Sequence, residues 1–162
     1  MPITMVVEVP KGSRNKYEMD HDTGAIVLDR MLFTATRYPA DYGFIPDTLA
    51  DDGDPLDALA LVSEPTFPGC HIRIRPIGLF VMVDEGQDDH KVLGVPEGDP
   101  VWAQARDLDD VPVHLLRELE HFFSVYKDLE DAKTDTKGWR PAAEVGPILE
   151  RARAAHRPLG HD

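Results

Sequence analysis

The hydrophobic period of this chain changes once, about two-thirds of the way along, and that change limits the fold more than any other feature. Up to residue 95 the apolar residues alternate or cluster in short blocks, and residues 4–9, 16–20, 25–29, 57–62, 71–83 and 91–95 read as strands. Lys11-Gly12-Ser13 separates the first two, and Asp22-Thr23-Gly24 reads as a hairpin turn. Alternation is strict over His71-Ile72-Arg73-Ile74-Arg75, which predicts one wet face, and Pro76 with Gly78 predicts a bend or bulge midway. Beyond residue 110 the period becomes helical. Leu115, Leu119, Phe122, Tyr126 and Leu129 form one stripe, with Asp109 or Asp110 as the expected cap and Pro112 in the first turn. A second helix is expected over much of 141–156 through Val145, Leu149 and Ala152, either starting near Pro147 or kinked at Gly146-Pro147. Strands followed by helices imply an α+β fold, a small antiparallel sheet or barrel with two helices packed on its side.

The bulk numbers exclude several classes. The 162 residues suit one domain, taken here as 1–162, large enough to bury a core without staples. The net charge of −13 argues against a nucleic-acid binder, which needs a basic face. The single cysteine, Cys70, allows no internal disulfide. The start of the chain lacks a basic segment followed by an apolar run, and the longest apolar run, 79–83, cannot span a bilayer. A cytoplasmic protein without membrane partners is the expectation.

Chemistry is concentrated in Asp51-Asp52-Gly53-Asp54-Pro55-Leu56-Asp57. Asp52, Asp54 and Asp57 are three carboxylates within six residues on a loop that Gly53 bends and Pro55 stiffens. Such carboxylates repel unless a cation shares them, and hard ions such as Mg²⁺ favour that oxygen set. An isolated acidic turn is usually just solvated, and other motifs fail on spelling. An EF-hand loop starting at Asp52 would need Gly at position 57 and Glu at 63, where Asp57 and Ser63 stand. An Asp-x-Asp-x-Thr phosphatase loop would need Thr at 56, where Leu56 stands. A second acidic run, Asp84 to Asp89, falls at an expected hairpin tip before Lys91. Cations and hydroxyls intersperse these acids: Lys16 two residues from Glu18 and so on the same strand face, Arg30, Tyr38, Tyr42 and Tyr126-Lys127. A plain metal buffer has no use for such cations, whereas a metal–phosphate site does. His21 and His90 are expected at the surface, His21 on the strand face opposite Lys16 and Glu18.

In this setting Asp52-Gly53-Asp54-Pro55-Leu56-Asp57 resembles the signature of the soluble family I inorganic pyrophosphatases, bacterial short type. The resemblance extends over nearly the whole chain, through the blocks Glu8 to Glu18, Asp29-Arg30, Tyr38 to Pro46, the Asp84, Asp89 and Lys91 spacing, and Phe122 to Leu129. It implies an OB-like β-barrel with helices on its side, hydrolysis of pyrophosphate to two phosphates, several Mg²⁺ ions per site, and a homohexamer. By position it implies that Asp52, Asp57 and Asp89 hold the first metal and that Asp57 also helps hold the second. Asp84 and Asp89 would hold a metal arriving with substrate, and Glu18 would contact another. Asp54 would be the general base. Lys16 and Tyr42 would hold the phosphate under attack, and Arg30, Tyr126 and Lys127 the departing one. Lys91, Tyr38 and Glu8 would support the site. The alternatives are another Mg²⁺-dependent phosphohydrolase acting on nucleoside triphosphates, or a non-catalytic divalent-metal or OB-fold module.

Overall fold

Strand β1 (Ile3–Val9) is apolar at almost every position, and Met5, Val7 and Val9 have no solvent exposure. Continuous burial of this kind calls for neighbours on both edges. In the computed structural model, which describes residues 2–157, β1 pairs antiparallel with β4 (Asp41–Phe44) on one edge and β6 (His71–Asp84) on the other. Strand β4 pairs antiparallel with β5 (Asp57–Ala60), and β5 runs parallel to β7 (Gln87–Pro96). The β6–β7 hairpin then returns to β1, closing a five-strand ring in the order β1-β4-β5-β7-β6. Strand β8 (Thr134–Pro141) extends the sheet from β6. Strands β2 (Asn15–Met19) and β3 (Ile26–Met31) form a separate two-stranded sheet, joined by the turn at Asp22-Thr23-Gly24. The arrangement agrees with an OB-like α+β fold, with β5–β7 the one parallel pair among the described residues.

Period-two alternation splits the apolar residues into two layers. Leu59, Phe80, Met82 and Leu93 pack under helix α1 (Val113–Val125), which contributes Leu119, Phe122 and Phe123. Ala58, Ala60, Leu79 and Val92 pack under helix α2 (Val145–His156), which contributes Val145, Leu149 and Ala152. Each large side chain so buried stabilises the fold by about 1.5–3 kcal/mol relative to exposure.

Several local expectations shift. The helical stripe is buried through Leu119, Phe122 and Tyr126, but α1 ends at Val125 and Leu129 is exposed. Pro112 itself stands at the N-cap of α1. Asp110 instead serves the preceding 3-10 turn (Leu108–Asp110), accepting from the N–H groups of Arg106 and Asp107 at 2.8 and 3.1 Å. Helix α2 follows a 3-10 turn (Ala142–Glu144) and begins at Val145, so Pro147 falls in its first turn, where an N–H has no intrahelical acceptor to lose. The expected bulge appears as a register shift between Pro76 and Gly78. The β6–β7 connection is shorter than the acidic run suggested. Glu85 and Gly86 alone make the turn, both at positive φ, and Asp89 and Lys91 already lie in β7. Strands β4 and β8 were not anticipated. Among the described residues no helix is long and apolar enough to cross a membrane.

Candidate active site

The open end of the sheet carries a cleft of about 360 Å³. Three supports surround it. The loop before β5 supplies Asp52, Asp54 and Asp57; the β6–β7 hairpin supplies Asp84 and Asp89; and the β2–β3 sheet supplies Lys16, Glu18 and Arg30. Tyr42 comes from β4, Glu8 from β1, and Tyr126 and Lys127 from the turn after α1. The loop holds its shape through Gly53 at φ 87°, the Asp54 N–H donating to Asp52 Oδ1 at 3.0 Å, and the Ala50 N–H donating to the Asp54 carbonyl at 2.7 Å. Glu8 Oε2 accepts from the Met19 N–H at 2.8 Å and so links β1 to β2.

Of the residues to which the resemblance gives a role, Lys91 and Tyr38 stand behind the cleft and all the others line it. Lys91 has no solvent exposure. Its Nζ donates to Asp57 at 2.9 Å, Asp89 at 3.1 Å and the Tyr42 hydroxyl at 3.2 Å, and lies 5.0 Å from the ring centres of Tyr42 and Phe123. Tyr38 is buried and packs between Tyr42 and Phe122. His21 departs from the parity argument. It lies beyond the end of β2, lines the cleft and meets Phe44 edge-on at 4.9 Å. His90, expected at the surface, is half-buried and lies away from the cleft beside Leu49, Leu56 and Ile148.

The electrostatics are those of a site short of cations. Seven carboxylates line the cleft against Lys16, Arg30 and Lys127. Burial pushes the Asp57 carboxyl up to about 8, against the pull of Lys91. Burial also works against ionisation of Asp89, but Lys91 outweighs it and holds that carboxyl below its ordinary value. Burial and the neighbouring charges of Asp89 and Asp54 raise Asp52. Burial opposes the charge on Lys91, and Asp57 more than offsets it, so this lysine stays protonated. Burial raises the Tyr42 hydroxyl, which is therefore neutral; because its oxygen accepts from Lys91, its hydrogen is free to donate elsewhere. Lys127 pairs with Asp84 Oδ2 at 2.8 Å, while Asp84 Oδ1 is buried with no partner among the described residues.

These residues fit a divalent ion. The donor set is all oxygen, as hard ions require, and the buried Asp84 Oδ1 is an acceptor awaiting a partner. As the side chains stand, no three acidic, histidine or cysteine groups converge on one point among the described residues. Lys91 bridges Asp57 and Asp89.

Two acidic residues escaped the sequence reading as parts of the site. Asp29 pairs with Lys16 at 3.4 Å and with Arg30. Glu130 pairs with Arg30 at 3.0 Å. Adjacency to Arg30 was a signal for Asp29, whereas Glu130 is far away in sequence and gave none.

Comparison with known proteins places this geometry in a family. The model of the inorganic pyrophosphatase family matches residues 5–157. The chain is 51% identical over 158 residues to the inorganic pyrophosphatase of Leifsonia xyli, covering 97% of each chain. It is 52% identical over 161 residues to that of Streptomyces coelicolor, covering 99% of each. The crystal structure of inorganic pyrophosphatase from Thermus thermophilus superposes with a TM-score of 0.93 at 44% identity, over 97% of this chain and 92% of that one. The chain belongs to the inorganic pyrophosphatase family.

Proposed function

We propose that the chain hydrolyses inorganic pyrophosphate to two phosphates, with Mg²⁺ as the divalent ion and Asp54 as the general base. The observation that carries this reading is the facing of two walls across one cleft, carboxylates on the β5 loop and β6–β7 hairpin, cations on β2–β3 and the turn after α1. Pyrophosphate bound with its metal ions presents the complementary pattern, cations toward the acids and oxygens toward Lys16, Arg30 and Lys127. Asp52, Asp57 and Asp89 would hold the first ion, with Asp57 shared by a second. Asp84 and Asp89 would hold an ion that enters with substrate, and Glu18 would contact another. When bound, such ions offset phosphoryl charge and lower the pKa of water toward neutrality.

The chain's own groups then divide the work. Asp54 forms no side-chain hydrogen bond among the described residues, so its carboxylate is free to accept a proton from the attacking water. Lys16 and the Tyr42 hydroxyl hold the phosphoryl group under attack, the latter with the hydrogen that Lys91 leaves free. Arg30, Tyr126 and Lys127 hold the departing phosphate and offset its growing charge. Lys91 keeps Asp57 and Asp89 at a fixed separation. Glu8 ties the base of β2 to β1, and Tyr38 backs Tyr42. Water attacks directly, so no covalent enzyme intermediate forms and Cys70 has no part. We assign the protein to the cytoplasm, and its assembly as a homohexamer.

Phosphate release from pyrophosphate, ATP and a nitrophenyl phosphate, each with Mg²⁺, tests the substrate. Turnover of pyrophosphate far above both others is expected, because the cleft is lined mostly by charged groups suited to a small, highly charged substrate. Preferred release from ATP would move the chain to a nucleotide-directed activity.

A further inference from the structure

Arg30 leans on a carboxylate that does not line the cleft. Glu130 lies in the turn after α1 that also carries Tyr126 and Lys127, and its N–H donates to the Lys127 carbonyl at 2.9 Å. Its side chain is largely buried, and Oε1 sits 3.0 Å from Arg30 Nε. Arg30 belongs to β3, in the two-stranded sheet that shares no ladder with the ring. We propose that Glu130 is a positioning residue, tying the β2–β3 sheet to the turn after α1 so that Lys16 and Arg30 keep a fixed separation from Tyr126 and Lys127 along the cationic wall. The inference rests on the reading of Arg30 as a substrate-holding cation.

Two observations support it. The contact is coulombic more than directional, since Arg30 Nε and Glu130 Oε2 are both buried without a hydrogen-bond partner among the described residues. A buried, half-satisfied pair is costly, and neutral packing would serve a purely structural role at lower cost. Second, the other carboxylate on Arg30 cannot do this work. Asp29 lies on the same strand and also holds Lys16, so it fixes the two cations relative to each other within the sheet but not relative to the turn.

The test is a double-mutant cycle on the Mg²⁺-loaded enzyme with Glu130→Gln, Arg30→Ala and the double variant, reading kcat/KM for pyrophosphate and the melting temperature of each. Glu130→Gln is expected to lower kcat/KM about tenfold with the melting temperature nearly unchanged, and to add nothing in the Arg30→Ala background. Losses that multiply in the double variant, or wild-type kcat/KM in Glu130→Gln, would overturn the proposal. Wild-type kcat/KM in Arg30→Ala would instead remove the reading of Arg30, and the inference with it. If Glu130→Gln does not fold, the cycle run with Glu130→Asp decides by the same criterion, since its carboxylate is kept but drawn back by one methylene.

Discussion

Asp54 and Asp57 stand three residues apart on one loop, yet their surroundings differ. Asp57 is pinned by Lys91, faces Asp89 and carries a carboxyl pushed up by burial. Asp54 is exposed, and only its backbone is held. Replacing either by Asn keeps the shape and removes the charge. Asp57→Asn is expected to weaken Mg²⁺ binding and lower activity together, with partial rescue at high Mg²⁺. Asp54→Asn is expected to keep tight Mg²⁺ binding, because Asp52, Asp57 and Asp89 remain, while turnover falls on the order of 10²–10⁴-fold. Calorimetric titration of Mg²⁺ together with steady-state rates separates the two. Near-normal turnover in Asp54→Asn, or loss of metal as severe as in Asp57→Asn, would show that Asp54 is not the base. This loop was the most legible part of the site, because its carboxylates, its glycine and its proline act on one another within six residues. Glu130 was the least legible. Its partner is Arg30, and nothing local to either residue reveals a pairing made only by the fold.

The elements that sequence pattern missed are those whose residues answer to neighbours and not to period. Strand β4 is four residues long and includes Asp41, fully buried because its carboxylate accepts from the Lys11 and Thr66 N–H groups and the Thr66 hydroxyl. An Asp two residues before a glycine reads as loop until those partners are known. Strand β8 is polar and mostly outside the core, and only its pairing with β6 makes it a strand. Gly43 in β4 is required by close approach, since a Cβ there would lie 1.8 Å from the Val6 carbonyl oxygen of β1. Gly94 in β7 would meet only the Ile74 side chain, at 2.7 Å. Gly43→Ala is therefore expected to destabilise by on the order of 4 kcal/mol or more, or to prevent folding. Gly94→Ala should cost about 1–3 kcal/mol, because a side chain can yield where backbone cannot. Urea unfolding of both variants checks the order, and equal losses would contradict the ring closure between β1 and β4. Asp110 gives a pH test at the same scale. The Arg106 and Asp107 N–H groups hold its carboxyl below the ordinary 3.8. A depressed folded-state pKa contributes stability above the unfolded value, and that contribution is lost as pH falls through the folded one. Asp110→Asn should therefore melt lower than wild type at pH 7, and the gap should narrow as pH falls below the ordinary carboxylate value of 3.8. A gap that is constant with pH would mean that the charge contributes nothing.

Across the whole molecule, the charge surplus and the fold meet at one place. The net charge of −13 could be spread as a solvating surface, yet seven carboxylates are gathered at the open end of a closed sheet, beside cations suited to phosphate. Ring closure makes this possible, because β4, β5 and β7 bring Tyr42, Asp57, Asp89 and Lys91 to one end from distant parts of the chain. The order of strands and helices could be read from the change of period; the one parallel pair could not, since β5 and β7 show the same apolar runs whichever way they align. On the proposed function, this acidic end works only when divalent ions join its two walls. The most direct measurement is the rate of phosphate release from pyrophosphate by the wild-type protein in excess chelator, in millimolar Mg²⁺, and in Ca²⁺ alone. Release is expected to be absent in chelator, full in Mg²⁺ and strongly suppressed in Ca²⁺, which takes more ligands at longer distances and polarises water less. Undiminished release in chelator, or equal release with Ca²⁺ alone, would contradict it.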